Sequence, residues 1–265
     1  MRLSIKLSIL AGNYCQFGDS CIRIILNAMI INLISGPRNV STALMYSFAQ
    51  RQDTKVVDEP FYAYYLKLTG FLHPGRKRIL QSMSSDIKEI TEQFLADDVN
   101  GKVLFIKNMA HHHIDIDDHF LHSVTNVFLI RRPDELLVSF AKVIKDPTLD
   151  DIGMKKSWEL YHDLMDQGKE TIVIDSGELM KDPPTMLQKM CDEIGIAFDN
   201  SMLSWEPGPR PEDGVWAEYW YHNLHKTAGF VKSEPKKVTV PDELQPVCDE
   251  AMNYYKELYE HSIKI

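Results

Sequence analysis

Short apolar runs recur along the chain, spaced so that a helix fits between each pair. They cover residues 31–35, 55–58, 103–107, 126–130 and 171–175. Each reads as nearly continuous apolar sequence, the pattern of a strand covered on both faces. Between the runs the period becomes helical. Ala43, Leu44 and Phe48 share one side after Ser41, and Leu136, Leu137, Phe140, Val143 and Ile144 form a stripe after Arg132. Asp182, Pro183 and Gly195 supply cap, first-turn and stop signals around Leu187, Met190, Cys191 and Ile194. Pro241 opens a last helix carrying Leu244, Val247, Cys248, Ala251, Tyr255 and Leu258. This alternation predicts an α/β fold, a parallel sheet flanked by helices, with ligands at the carboxyl ends of the strands. Residues 205–220 mix prolines and glycines with charges and aromatics and are read as a long loop or lid.

Two strand ends carry chemistry. The first run feeds Ser35-Gly36-Pro37-Arg38-Asn39-Val40-Ser41-Thr42 and then a helix. Such a turn aims backbone N–H groups at one point, where the helix dipole favours an anion such as phosphate or sulfate. It is not the G-x-x-x-x-G-K-[ST] loop. Ser41 stands where that motif has its second Gly and Thr42 where it has Lys, and the cation comes early as Arg38. The run at 126–130 ends in Arg131-Arg132-Pro133, with Ser139 on the helix that Pro133 starts. Arg131 and Ser139 can reach one phosphate, whereas Arg132 is read as a surface or capping residue.

With both motifs in view, the chain resembles the sulfotransferases that use 3′-phosphoadenosine 5′-phosphosulfate. Their P-[KR]-S-G-[ST]-T loop grips the 5′-phosphosulfate, and a later strand-end arginine with a serine eight positions on grips the 3′-phosphate. Pro37, Arg38, Asn39, Ser41 and Thr42 match the first site, with departures at Asn39 and Val40. Arg131 and Ser139 match the second at the same spacing. Val40 in place of the family's Gly implies that the backbone there needs no positive φ. The resemblance implies a P-loop-like sulfotransferase fold and transfer of a sulfuryl group to an acceptor hydroxyl on a small molecule or glycan. It implies no metal. It also implies that Lys107 neutralises the sulfonate and that Lys226 and Thr227 sit in a late loop over the 3′-phosphate.

The acceptor proton needs a base. Glu59, after the second run, is the first candidate, and some bacterial members resemble this chain in placing a glutamate there. In animal cytosolic members the base is a histidine, but Met109 occupies that position here, and His111 is the first histidine after it. Asp58-Glu59 also mimics a magnesium-binding strand end, which keeps a P-loop-type nucleotide kinase or NTPase as the rival. The histidines 111–113 with Asp115, Asp117, Asp118, His119 and His122 invite a metal, yet they lack a recognised ligand pattern. One or two of them are expected to face the cleft and the rest to be solvated. Phe61 to Tyr65, and Trp216, Tyr219 and Trp220, are read as pocket lining or core.

Composition narrows the picture further. At 265 residues and 44% hydrophobic content, one domain over 31–265 is expected. Residues 1–30 are read as a non-core extension, or as an upstream start before Met29. A net charge of −9 argues against a nucleic-acid partner. Four cysteines without metal or disulfide spacing suit a cytoplasmic protein, and the apolar N-terminal runs are too short and too polar for a membrane span.

Overall fold

The computed structural model describes residues 29–96, 103–232 and 237–265. The expected extension, up to residue 28, lies outside them. Strands β1 (Met29–Ser35), β2 (Thr54–Asp58), β3 (Val103–Met109), β4 (Thr125–Ile130) and β5 (Thr171–Asp175) form a parallel sheet in the order β2-β3-β1-β4-β5. All five expected strands are present. β1 already begins at Met29, so the expected boundary at residue 30 falls inside a strand.

Alternate residues of β1 enter opposite layers, as the near-continuous apolar run requires. Ile31 and Leu33 pack with Leu44, Phe48 and Val127, while Ile30 and Ile34 pack with Leu104, Phe128 and Leu136. Each such side chain contributes about 1.5–3 kcal/mol when fully buried, which commits β1 to the sheet centre. Asn32 is the polar exception. Its Nδ2 donates to Asn126 Oδ1 at 3.0 Å, and its Oδ1 accepts from Asn108 Nδ2 at 2.8 Å. The apolar run therefore hides a hydrogen-bonded ladder across three strands.

From β1 the chain crosses to one edge of the sheet, and from β4 to the other. A crevice opens at this reversal, outside the carboxyl ends of β1 and β4. Ser35 is in register with Leu129 there, so the two anion motifs emerge side by side. Asp58 and Lys107 are register partners on β2 and β3, which puts a carboxylate and an ammonium on the same sheet face.

Two helix expectations change. The helix after Arg132 spans Pro133–Phe140 only. Leu136, Leu137 and Phe140 are buried, but Val143 is 50% exposed. β-Branched Val143 and Ile144 propagate a helix poorly, and Pro147 disfavours helical backbone at Asp146, whose φ is +50°. The last helix runs Gln245–Glu260, after a 3₁₀ turn at Asp242–Leu244, and so does not start at Pro241. Pro246 lacks an N–H and is tolerated only in a first turn, which fixes the start. No helix among the described residues is long and apolar enough to cross a membrane.

Candidate active site

The loop after β1 holds a strained backbone. Arg38 has φ +55° and Val40 φ +50°. The expectation that Val40 needs no positive φ is therefore wrong. The turn geometry is kept without the glycine, at about 1–2 kcal/mol per residue. Gly36 is needed for a different reason: a Cβ there would lie 2.4 Å from the Ile152 carbonyl oxygen. Val40 is the N-cap residue of helix Ser41–Phe48, and its side chain supplies no cap. The first-turn amides of the helix thus lack a side-chain acceptor from the cap position, a ready anion site.

Three expected anion ligands touch one another. Arg38 Nε donates to Ser139 Oγ at 3.2 Å, and Arg131 Nη1 donates to the Arg38 carbonyl at 2.6 Å. Arg131 Nη2 also pairs with Glu135 at 3.0 Å. Burial and then the charge of Arg131 pull the Arg38 pKa down. An anion bound beside Arg38 would offset both effects. Asn39 is 2% exposed and donates to the Leu129 carbonyl, while its Oδ1 has no partner. It anchors the loop to β4 as much as it faces the crevice. Arg132 is the N-cap residue of its helix and pairs with Asp134.

Beside the loop lies a buried charge cluster. Lys107 Nζ is 3.0 Å from Asp58 Oδ1, 2.5 Å from Glu59 Oε1 and 2.8 Å from the Tyr221 hydroxyl. An ammonium has three donors, and all three are used. The Tyr221 hydroxyl donates to Asp58 Oδ2 at 2.8 Å and accepts from Trp216 Nε1 at 3.2 Å. Gly214 N donates to Asp58 Oδ2 at 3.3 Å. Burial works against the Lys107 charge, but Asp58 and Glu59 outweigh it and the net shift is upward. Burial raises the Glu59 pKa, Lys107 opposes it, and the charge of Asp58 adds to the rise. Glu59 also has a positive φ, +41°.

A cavity of ≈ 370 Å³ joins the two regions. Pro37, Arg38, Asn39, Ser41 and Thr42 line it, as do Glu59, Lys107, His111, Arg131, Ser139 and Thr227. Of the expected site residues only Lys226 does not. It is exposed and ends a 3₁₀ turn at Leu224–Lys226. Asp58 stands behind Glu59, outside the lining.

Two of the histidines face the cleft, as expected, and His119 is exposed, but His113 is buried rather than solvated. His111 and His112 line the cavity, and His113 is buried at 1% exposure, its Nδ1 bonded to the Met109 carbonyl at 3.1 Å. Burial pushes His111 down to about 3 and His113 to about 4. These rings are neutral at pH 7. No group of three or more His, Cys, Asp or Glu among the described residues is placed to hold a metal. Of the aromatic runs, Tyr62, Tyr65 and Trp220 line the cavity, Phe61 and Trp216 are core, and Tyr219 is 39% exposed. The segment 205–220 is a loop only up to Trp216 and ends in a short helix, Ala217–Trp220; the loop is pinned by Gly214 to Asp58 and by Asp213 to Tyr46 at 2.6 Å.

Sequence reasoning missed Tyr221. Its signal was the aromatic run Trp216 to Tyr221, but only the tertiary fold brings its hydroxyl to Lys107. His73 and Asp151, also in the cavity wall, carried no sequence signal.

Comparison with known proteins places this arrangement. The family model of the sulfotransferase domain matches residues 29–261. Branched-chain-amino-acid aminotransferase-like protein 1 of Arabidopsis thaliana is 38% identical over 235 residues, 88% of this chain and 42% of that protein. The chain thus spans less than half the length of that relative. Among solved structures, the sulfotransferase domain of the Synechococcus PCC 7002 olefin synthase shares the fold. Its TM-score is 0.58 at 16% identity, covering 91% of this chain and 98% of that one. A sulfotransferase from Alicyclobacillus acidocaldarius gives 0.54 at 12% identity, covering 88% and 96%. Fold, loop and family match agree, and the chain belongs to the sulfotransferase domain family.

Proposed function

We propose that this protein moves the sulfuryl group of 3′-phosphoadenosine 5′-phosphosulfate to an acceptor hydroxyl, with the chain from β1 onward, residues 29–265, acting as one unit. The observation that carries this is the pairing of Arg38 and Arg131. The Arg131 guanidinium is held on the Arg38 backbone carbonyl, and both arginine side chains line one cavity beside an uncapped helix start. In this account the loop amides, Arg38, Ser41 and Thr42 hold the 5′ end, while Arg131 and Ser139 hold the 3′-phosphate. Thr227 closes the wall. The free thiols Cys191 and Cys248 are buried and suit a reducing cytoplasm.

Glu59 takes the acceptor proton. The acceptor oxygen then bonds to sulfur as the bond from sulfur to the 5′-phosphate oxygen breaks, and 3′-phosphoadenosine 5′-phosphate leaves with that electron pair. Glu59 is favoured over His111 on base strength. Its pKa is raised toward the working range, whereas His111 at about 3 is a poor proton acceptor. Lys107 acts chiefly on Glu59, since its donors are spent within the cluster. Arg38 meets the charge that develops on the sulfonate, a term of about 2–4 kcal/mol. The magnesium-nucleotide alternative is the weaker one, because Lys107, Tyr221 and Gly214 already occupy both Asp58 oxygens.

Calorimetric titration with 3′-phosphoadenosine 5′-phosphate, with magnesium-ATP alongside, tests the donor. Tight bisphosphate binding that Arg131→Ala weakens is expected. Preference for magnesium-ATP would overturn the proposal.

A further inference from the structure

Residues 67–78 read Lys67-Leu-Thr-Gly-Phe-Leu-His-Pro-Gly-Arg-Lys-Arg78. The stretch holds four cations and no carboxylate, in a chain whose net charge is −9. Lys67, Leu68, Leu72 and Lys77 take no part in the cavity. Leu72 is 89% exposed, and Leu68 and Phe71 are about half-exposed. Single exposed apolar residues are ordinary, but neighbours such as these form a patch. The fold builds the turn that presents them. Gly70 ends helix Tyr62–Thr69 in the left-handed region, at φ +74°. Thr69 Oγ1 donates to the Tyr65 carbonyl at 2.8 Å and accepts from Phe71 N at 3.4 Å. Gly75, also at φ +74°, precedes helix Arg76–Ser82 and lies against the Tyr219 ring, which a Cβ there would meet at 2.6 Å. Both ends of the turn are thus fixed, and its apolar side chains are exposed by construction.

Cations flank this tip on both helices, which pack together through the buried cluster that Leu66 and Ile79 share. Lys67 and Lys77 are exposed, and Lys67 Nζ donates to Ser85 Oγ at 3.1 Å. Arg78 pairs with Glu218, and both side chains are exposed. Contacts of this exposed kind are weak, so a stronger anion can replace them. Arg76 is spent inward, its Nη2 on the Leu66 carbonyl at 3.2 Å. The turn therefore offers an apolar tip flanked by Lys67, Lys77 and Arg78.

A stable protein partner would need about 800 Å² of contact on each side, more than one such turn supplies. A bilayer needs less: apolar side chains at the acyl boundary and cations level with the headgroup phosphates. The bulk of this acidic protein is repelled by an anionic surface, which favours approach by this face. We propose that the turn at residues 68–75 attaches the protein reversibly to an anionic lipid bilayer. Leu68, Phe71 and Leu72 enter the acyl boundary, and Lys67, Lys77 and Arg78 meet headgroup phosphates. Neither set is enough alone, since stable attachment takes two signals. Phe71 also stacks on His73, with centroids 6.1 Å apart, and His73 lines the cavity. Attachment thus sets that end of the cavity beside the lipid. Attachment itself does not depend on sulfuryl transfer.

The test is cosedimentation of the full chain with vesicles of phosphatidylcholine alone, and with about one third phosphatidylserine, at low and high salt. Binding to the anionic vesicles, weakened by salt, is expected. Leu72→Ser should weaken it about tenfold and Lys77→Gln about fivefold. Both positions are exposed, so neither change should unfold the protein. No binding to either vesicle, equal binding to both, or binding that Leu72→Ser leaves intact would overturn the inference. So would a dimer in vesicle-free solution that Leu72→Ser dissolves, since the tip would then belong to a contact between two copies.

Discussion

Tyr221→Phe removes one oxygen from the centre of the buried cluster. That oxygen donates to Asp58 and accepts from Lys107 and Trp216, at 2.8, 2.8 and 3.2 Å. A buried group left without its partner costs about 1–3 kcal/mol. Lys107 and Asp58 keep other partners, and the Trp216 bond is long, so the low end applies to each. The sum is about 3 kcal/mol, or a fall in Tm of about 6–12 °C for a chain of this size. The protein should still fold, since native stabilities run to about 5–15 kcal/mol. The Tyr221 hydroxyl also lowers the Glu59 pKa, so its loss moves that pKa up. A base works only when deprotonated, so the acid limb of kcat/KM should shift to higher pH. Thermal unfolding and a pH–rate profile read the two effects separately. An unchanged Tm would mean that the hydroxyl does not satisfy Lys107. A lowered Tm with an unmoved acid limb would reduce Tyr221 to a purely structural part.

Other changes probe other links. Gly36→Ala sets a Cβ against a backbone carbonyl that cannot swing away. It should cost about 2–3 kcal/mol in urea unfolding and weaken bisphosphate binding, and neither effect would appear if the loop had room. Acid should destabilise the protein before its carboxylates protonate. His113 is depressed to about 4, so the unfolded chain takes up a proton below pH 6.5 that the native ring refuses. Its contribution is present above pH 6.5 and is lost as pH falls toward 4, about 2 kcal/mol at pH 5. Urea unfolding at pH 7 and 5 measures this, and His113→Phe should remove that part of the difference.

The sheet was legible because its strands are local apolar runs, and a parallel sheet buried on both faces leaves that mark in any sequence. The gathering of Arg38, Ser41, Thr42, Arg131 and Ser139 around one cavity was legible because strand and helix geometry sets their spacing. The backbone of Val40 was not, because side-chain identity reports a preferred φ and tertiary packing imposed another. The helix after Pro133 looked longer because a hydrophobic stripe cannot tell a helix from the turn that follows it. Lys107 was expected at the sulfonate. Its neighbours come from β2 and from residue 221, and no short-range pattern could show that they exhaust its donors.

The central claim is that Arg38 and Glu59 act on a sulfuryl group in transit. The most direct measurement is transfer of radiolabelled sulfur from 3′-phosphoadenosine 5′-phosphosulfate to a panel of small-molecule and glycan hydroxyls, by wild type, Arg38→Ala and Glu59→Gln, with bisphosphate affinity measured on the same preparations. The account predicts transfer by the wild type, none by Arg38→Ala, and none by Glu59→Gln although that variant still binds the bisphosphate. Transfer at the wild-type rate by both variants would contradict it.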